Sequence, residues 1–204
     1  MIAIIDYGMG NLHSVQKALE RLGYQGLATD QTDDILQASG VILPGVGAFG
    51  DAMKNLNEKG LVSVIHQVID QGTPFFGICL GMQLLFETSE EHGIHQGLGI
   101  FKGSVKLFKG DFKIPHMGWN ELNILPNNHR LFENFQTGHV YFVHSYYVQV
   151  EDPSILLATT DYYGQVPAIV GSSHIIATQF HPEKSGKTGM ELLRRFAEWT
   201  EGNK

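Results

Sequence analysis

The first part of the chain alternates short apolar runs with segments whose apolar residues recur every three or four positions. Ile2 to Ile5 is such a run, and Leu12, Val15 and Leu19 then fall on one helical face. The pattern predicts strands at 2–5, 26–29, 41–43 and 75–78, and helices at 12–22, 33–38, 49–56 and 61–69. Because strands and helices alternate, we predict an α/β fold with an open, mostly parallel sheet and helices on both faces.

The second half of the chain has a different pattern, with strand after strand and few helices. The predicted strands are 100–108, 121–125, 140–143, 146–150, 156–160, 166–170 and 174–180, and a last helix is predicted from about 188 to 199. We therefore expect an antiparallel insertion or flank beside the parallel sheet. Since no repeat, low-complexity tract or linker interrupts the pattern, we predict a single domain over residues 1–204.

The amino-acid composition argues against several classes of function. The chain has 204 residues, 43% of them apolar, which suits one large α/β domain with a full core. The formal net charge of −7 gives no electrostatic case for binding nucleic acid. No apolar run is long enough to span a bilayer, the N-terminus lacks a basic segment, and there is one cysteine. We therefore expect a cytoplasmic protein with no membrane or nucleic-acid partner.

The first candidate for chemistry is that cysteine, which lies where a predicted strand meets a predicted helix. Gly77 and Gly81 flank Cys79 at minus two and plus two. This spacing is typical of a nucleophile elbow, a sharp strand-to-helix turn that exposes a strained nucleophile above the sheet. A lone cysteine is, however, also a common small core residue. The elbow pattern alone leaves Cys79 either inert or reactive.

A glycine-rich loop follows the third predicted strand. Gly45, Gly47 and Gly50 match the G-x-G-x-x-G pattern of dinucleotide-binding loops. That pattern normally follows the first strand of the fold, whereas here it follows the third, and the next strand ends in Cys79 instead of an acidic residue. Two other interpretations stay open, a simple turn and a loop whose N–H groups face the cysteine as part of an oxyanion hole.

The second candidate for chemistry is a histidine two positions before a glutamate. Residues i and i+2 of an extended segment point to the same side, and we expect Pro182 to hold this segment extended. Glu183 then lies beside His181 and orients its imidazole. A nucleophile, a base and a group that orients the base form a catalytic triad. A surface-exposed His181 is the alternative, and the elbow at Cys79 makes it much less favoured.

These motifs together resemble a known family. Gly77-Ile78-Cys79-Leu80-Gly81-Met82-Gln83 with His181-Pro182-Glu183 resembles the class I, or triad, glutamine amidotransferases. Within that family, the runs Pro44-Gly45-Val46-Gly47, His116-Met117-Gly118-Trp119-Asn120 and Tyr141-Phe142-Val143-His144-Ser145-Tyr146 are similar to the glutaminase subunits of imidazole glycerol phosphate synthase. The resemblance covers essentially the whole chain and implies a flavodoxin-like sheet.

The resemblance implies hydrolysis of L-glutamine to glutamate and ammonia through a thioester on Cys79. His181 would act as acid and base, and Glu183 would orient it. The implied oxyanion hole uses the N–H of Leu80 and one from Val46 or Gly47, because Pro44 has no N–H. The implied glutamine contacts are Gln83, Gly47, Glu91 and the backbone of Ser145 and Tyr146. No step requires a metal or another cofactor.

Two of these glutamine contacts have plainer interpretations. Glu91 belongs to the acidic run 87–91, which suits a solvated face, and Gln83 suits a helix surface.

The resemblance also implies a partner, since the chain offers no acceptor site for the ammonia. The partner would be the cyclase subunit, a (β/α)₈ barrel, in a heterodimer that makes imidazole glycerol phosphate and an aminoimidazole carboxamide ribonucleotide in histidine biosynthesis. Our interface candidates are Asn11, Trp119, Tyr141 and Lys184, with core packing as the alternative for the two aromatic residues. We expect the loop at 45–47 to be misaligned until the partner site is occupied.

Other functions share parts of this pattern. The glutaminase subunits of anthranilate synthase and pyridoxal phosphate synthase resemble the chain in their triad, although the His-Met-Gly-Trp-Asn run at 116–120 argues against both. A regulatory subunit that kept the fold but lost catalysis is a third alternative, against which the intact triad argues. A nucleotide-binding protein would rest on the glycines at 45–50 alone.

Overall fold

A computed structural model describes residues 1–127 and 129–202. The strands are Ile2–Ile5 (β1), Gly26–Thr29 (β2), Gly40–Gly45 (β3), Phe75–Cys79 (β4), Phe86–Ser89 (β5), His95–Gln96 (β6), Phe101–Leu107 (β7), His116–Glu121 (β8), Asn123–Ile124 (β9), His139–His144 (β10), Tyr146–Val150 (β11), Leu156–Asp161 (β12), Gln165–Ser172 (β13) and Ile175–Thr178 (β14). The α-helices are Leu12–Arg21 (α1), Thr32–Leu36 (α2), Phe49–Glu58 (α3), Leu61–Asp70 (α4), Leu80–Leu84 (α5) and Gly186–Glu201 (α6). The predicted domain 1–204 includes residues 128, 203 and 204, which lie outside the described residues.

The main sheet has eight strands in the order β2-β1-β3-β4-β14-β13-β12-β9. The five strands from β2 to β14 pair in parallel, and the remaining three continue the same sheet in antiparallel pairs. The prediction of an open, mostly parallel sheet is confirmed. Since β4 and β14 are parallel neighbours, their carboxyl ends meet at one edge, and these ends carry Cys79 and lead to His181.

Helices cover both faces of this sheet because successive strand residues point to opposite sides. Ala3, Ile5, Leu43 and Phe75 face one way and share a core with α2, α3 and α4. The residues between them face the other way and pack against α1 and α6; they are Ile2, Ile4, Ile42, Phe76 and Ile78. Strands buried on both faces are apolar throughout, which is why these runs could be predicted as strands.

The strands of the predicted antiparallel flank divide into three parts. One part extends the main sheet, a second is the antiparallel pair β10-β8, and a third is a four-stranded sheet in the order β11-β7-β5-β6. The third sheet is mixed, because β5 and β7 pair in parallel. The patterns gave no strand at β5, β6 or most of β8, and the predicted strand 121–125 instead divides between the end of β8 and the short β9. These strands carry polar residues at many positions, and their pairing with distant segments determines them.

The third predicted strand is longer than expected. β3 continues through Pro44 to Gly45, whereas the predicted strand covers only residues 41–43. The parallel register pairs Pro44 with Ile78 and Gly45 with Cys79. Residues 46 and 47 therefore leave the sheet directly beside the cysteine. In the ranges 1–127 and 129–202, no helix is both long and apolar enough to cross a membrane.

Candidate active site

The turn between β4 and α5 has the backbone geometry of a nucleophile elbow. Cys79 has φ 57° and ψ −110°, a backbone conformation that residues with a side chain rarely adopt. A Cβ on Gly81 would collide with the backbone carbonyl oxygen of Leu43, and one on Gly77 would lie 2.9 Å from the carbonyl oxygen of Gly81. Both flanking positions therefore need glycine for steric reasons. The strained turn places the Cys79 sulfur at the carboxyl edge of the sheet.

His181 lies beside this sulfur and is held by Glu183. His181 Nδ1 is 2.9 Å from Glu183 Oε1, and both side chains are buried. The prediction that Pro182 keeps this segment extended is wrong, because Pro182–Lys184 form a turn of 3₁₀ helix. The fixed φ of proline suits the first position of such a turn. The turn, and not strand alternation, brings the carboxylate back to the imidazole.

The electrostatics of this pair depend on Cys79. Burial lowers the pKa of His181, but hydrogen bonds to Cys79 and Glu183, with the negative charges of both groups, outweigh burial and raise it to about 10. With Nδ1 occupied by Glu183, the other ring nitrogen is left for Cys79. The arrangement therefore favours an imidazolium between two negative groups, as a thiolate–imidazolium pair with an orienting carboxylate requires.

Cys79 and His181 border a cavity of about 660 Å³ at the sheet edge. Ten of the predicted site residues line it, namely Val46, Gly47, Cys79, Leu80, Gln83, Glu91, Ser145, Tyr146, His181 and Lys184. Glu183 lies behind His181, outside the lining. Sequence reasoning gave no role to six further lining residues, which are His92, Leu107, Ile114, Pro115, Val143 and His144. A cavity of this size accommodates a small amino acid-sized ligand.

Gln83 and Glu91 both have specific contacts, so neither is an ordinary solvated side chain. Gln83 is buried, and its Nε2 donates to the carbonyl oxygen of Tyr146 at 3.1 Å. Glu91 Oε2 accepts from the backbone N–H of Phe49 at 2.7 Å, the first residue of α3. A carboxylate is favoured at a helix N-terminus, where N–H groups lack partners. Glu91 thus borders the cavity and also fixes the end of the 45–48 loop.

The other end of that loop is fixed by Tyr7, a residue that sequence reasoning did not single out. The Tyr7 hydroxyl donates to the carbonyl oxygen of Pro44 at 2.9 Å, and the side chain is buried. Burial, followed by the charge of Cys79, raises the pKa of Tyr7 above its usual range. The phenol therefore stays protonated and keeps donating. Between these two contacts, Val46 and Gly47 are exposed at the cavity.

A chain of hydrogen bonds continues from the sulfur into the protein. Gln179 Nε2 lies 3.8 Å from Cys79 Sγ, and Gln179 Oε1 accepts from Gln83 Nε2 at 3.0 Å. His144 Nδ1 lies 2.8 Å from the carbonyl oxygen of Tyr146, which Gln83 also contacts. Burial lowers the pKa of His144 to about 3, so this imidazole is neutral. Sequence reasoning assigned no contact to Gln179 or His144.

The predicted interface residues lie around the same edge of the molecule. Trp119 is 54% exposed, which excludes ordinary core packing, and its ring centroid is 6.0 Å from that of Tyr141 on the neighbouring strand. Met117, two positions before Trp119 on β8, is also 54% exposed. Lys184 is exposed at the cavity. Asn11 caps α1 by accepting from the N–H of Ser14 at 3.3 Å, so it has a structural role.

The chain is similar to known proteins over nearly its whole length. The family model of the class-I glutamine amidotransferases matches residues 3–199. The imidazole glycerol phosphate synthase subunit HisH of Halalkalibacterium halodurans is 52% identical over 207 residues, covering 98% of this chain and 97% of that protein. The subunit of the same name from Bacillus subtilis is 48% identical over 202 residues, with 96% and 95% covered.

Solved structures support the fold independently. A crystal structure of a glutamine amidotransferase superposes with a TM-score of 0.78 at 20% identity and covers 98% of this chain and 100% of that one. A structure of PurLQS from Thermotoga maritima gives a TM-score of 0.72 at 19% identity, with 99% and 97% covered. At such low sequence identity, these superpositions support only the fold, whereas the sequence matches establish the family. The chain therefore belongs to the class-I glutamine amidotransferase family and, within it, to the group of the HisH subunits of imidazole glycerol phosphate synthase.

Proposed function

We propose that the chain is the glutaminase subunit of an imidazole glycerol phosphate synthase and hydrolyses L-glutamine to glutamate and ammonia. The observation that carries the proposal is the series of contacts from Cys79 to His181 to Glu183, in which Cys79 and His181 line one cavity. The near full-length similarity to subunits named HisH supports the pathway, which is histidine biosynthesis.

In the first half-reaction, the Cys79 thiolate attacks the side-chain carboxamide carbon of glutamine and forms a C–S bond. His181 then donates its proton to the amide nitrogen as the C–N bond breaks, which leaves a thioester and releases ammonia. In the second half-reaction, His181 takes a proton from water, whose oxygen attacks the thioester. Glutamate leaves, and the thiolate–imidazolium pair is restored. Glu183 orients His181 and stabilises the imidazolium in both steps.

Each half-reaction passes through a tetrahedral oxyanion that needs N–H donors. We assign one donor to the N–H of Leu80, directly after the nucleophile, and the second to Val46 or Gly47. The parallel pairing of Gly45 with Cys79 supports this assignment, because the next two residues follow the strand into the cavity. Gly47, at φ 94°, gives the loop the backbone freedom to rotate a peptide.

The glutamine contacts follow from the cavity lining. We assign the α-ammonium to the Glu91 carboxylate, and the remaining polar contacts to Gln83, Gly47 and the backbone of Ser145 and Tyr146. Because Glu91 also holds the N–H of Phe49, glutamine bound there is coupled to the end of the oxyanion loop.

The ammonia has to reach an acceptor before water protonates it, which calls for a partner. We propose the cyclase subunit, a (β/α)₈ barrel, in a heterodimer with this chain. The partner face would include Trp119 and Tyr141, a half-exposed aromatic pair of the kind that anchors interfaces, with Lys184 and Asn11 beside it. The backbone N–H of His181 donates to the carbonyl oxygen of Tyr141 at 3.3 Å, so this face adjoins the catalytic base.

The experiment combines the chain with L-glutamine and either the cyclase, an anthranilate synthase partner or a pyridoxal phosphate synthase partner, and measures glutamate release. We expect release only with the cyclase and its bound ligand, and little release from the isolated chain. Cys79→Ala should lower release by at least about 10³-fold. Release that survives this substitution would remove Cys79 as nucleophile, and full turnover by the isolated chain would contradict partner control.

A further inference from the structure

Gln179 is a buried polar side chain that the mechanism above does not use. It lies one residue past β14 and two before His181, and its side chain is fully buried. Its backbone N–H donates to the carbonyl oxygen of Ala168 at 2.9 Å, which fixes the backbone at the end of the strand. A buried amide needs partners for its donor and acceptor ends, so its contacts are informative.

The sheet register places this side chain against the nucleophile. β14 and β4 pair Ala177 with Gly77 and Thr178 with Ile78, so the next position along, Gln179, is level with Cys79. The amide nitrogen of Gln179 is 3.8 Å from Cys79 Sγ. Sulfur is a large acceptor, and its hydrogen bonds are longer than those to oxygen.

The orientation of the Gln179 amide follows from its neighbours. The carbonyl oxygen of Tyr146 can only accept, so the end of Gln83 that faces it is the NH₂ group. The second hydrogen of that group points to Gln179, which must therefore present its oxygen at 3.0 Å. The NH₂ group of Gln179 is then the end that faces Cys79. The orientation is fixed by a backbone carbonyl and needs no assumption about the sulfur.

We propose that Gln179 is a further catalytic residue, whose amide N–H donates to the Cys79 sulfur and stabilises it as a thiolate. The proposal rests on the function proposed above. A thiolate accepts a hydrogen bond more strongly than a thiol does, so a fixed donor favours the ionised form. The thiolate is the attacking group in the first half-reaction and the leaving group in the second, so the donor acts in both.

Gln179 also positions a neighbouring side chain. Through its oxygen, Gln179 holds the amide of Gln83, which lines the glutamine cavity. The same side chain therefore links the nucleophile to one substrate contact. This second role concerns glutamine binding, whereas the first concerns sulfur chemistry, so different measurements separate them.

The test uses the fact that Cys79 is the only cysteine of the chain. Alkylation by iodoacetamide, a neutral reagent, reports the thiolate at this residue alone and needs no glutamine or partner. For Gln179→Met, which keeps the length of the side chain but has no N–H, we expect the pH midpoint of alkylation to rise by about 0.5 to 1 unit. Gln179→Asn keeps an amide but shortens the reach, and we expect a rise in the same direction.

The matched control is Gln67→Met, the same change at an exposed position of α4, which should leave the midpoint unchanged. Thermal melting shows whether each variant is folded. If Gln179→Met does not fold, the test is made with Gln179→Asn. An unchanged midpoint in a folded Gln179 variant would overturn the proposal. That failure is distinct from failure of the proposed function, which would appear as a wild-type chain that releases no glutamate with the cyclase.

Discussion

The elbow at Gly77–Gly81 and the loop at Gly45–Ala48 border the same cavity but are held in different ways. In the elbow, backbone meets backbone, since a Cβ on Gly81 would strike the carbonyl of Leu43. In the loop, a Cβ on Gly47 would meet only the terminal methyl of Met9, at 2.7 Å. Backbone bonds reach only its two end residues, since Gly45 pairs in the sheet with Cys79 and the Ala48 carbonyl accepts from Ala52. The other contacts that hold the ends of the loop come from side chains, the Tyr7 hydroxyl and the Glu91 carboxylate.

This difference suits the proposed roles of the two segments, nucleophilic attack for the elbow and stabilisation of the oxyanion for the loop. The proposed nucleophile, Cys79, has to keep one geometry through both half-reactions, so it belongs on a turn that backbone packing determines. The proposed oxyanion donors matter only when a tetrahedral intermediate forms, so their loop can respond to substrate and partner. The comparison therefore predicts that substitutions in the elbow affect folding and activity together, whereas substitutions in the loop affect mainly activity.

The largest effect is expected for Gly81→Ala. The added methyl group overlaps backbone atoms of β3, which cannot move without disturbing the central sheet. We expect a loss of about 3 kcal/mol of folding free energy, a melting temperature lower by roughly 10 °C, and no measurable glutaminase activity. Calorimetry and glutamate release with the cyclase measure the two effects.

Gly47→Ala is the contrasting variant in the loop. Its φ of 94° disfavours a side chain, but the obstructing Met9 methyl group is free to move. We expect a loss of about 1 to 2 kcal/mol and a fall in kcat greater than this instability explains. Gly60→Ala is the control, because Gly60 has φ 68° with open space around it and lies away from the cavity. Equal losses of activity for Gly47→Ala and Gly60→Ala would contradict a role of the loop in catalysis.

The next effect concerns Glu183, which holds the imidazole beside the rigid elbow. Glu183→Gln keeps the size of the side chain but removes the charge beside His181 Nδ1. We expect kcat to fall by about 10³-fold. The negative carboxylate helps to raise the pKa of His181 to about 10, so its loss lowers that pKa and the imidazolium loses its proton at lower pH. The alkaline limb of kcat/KM should therefore move to lower pH.

Glu58→Gln, the same substitution at an exposed position of α3, is the control and should leave the pH profile unchanged. An alkaline limb that stays in place for Glu183→Gln would mean that the carboxylate does not set the protonation of His181. An alkaline limb that moves to higher pH would mean that the Glu183 charge lowers the pKa of His181, the opposite of the expected effect.

Sequence reasoning succeeded where local pattern and chemistry coincide. The strands β1, β3, β4 and β14 are almost entirely apolar because helices cover both faces, and the Gly-x-Cys-x-Gly spacing is itself the elbow. β8 was mostly missed because residues such as His116 and Asn120 interrupt its pattern, and its pairing with β10 determines it. Non-local pairing of this kind is not visible in a window of sequence.

Contacts between distant segments also limited the prediction of the site. His181 and Glu183 were predicted as a pair, but the reason given was wrong, since a 3₁₀ turn and not an extended segment brings them together. Gln179 received no role in the sequence analysis, because its contact with Cys79 depends on the register of β14 against β4. A polar residue two positions before the predicted base, at the end of a buried strand, was the available signal.

The smallest effect tests how firmly the start of the loop is held. Tyr7→Phe removes the hydroxyl that donates to the Pro44 carbonyl and leaves the ring in place. A buried carbonyl without its donor costs about 1 to 2 kcal/mol, and we expect kcat to fall roughly 3- to 10-fold with little change in KM. The high pKa of Tyr7, set mainly by burial, keeps the phenol protonated, so the effect should not vary with pH. Tyr163→Phe, at a tyrosine that is 73% exposed, is the matched control. A Tyr7→Phe variant that loses stability but keeps its kcat would mean that the loop holds its position without this contact and is as rigid as the elbow.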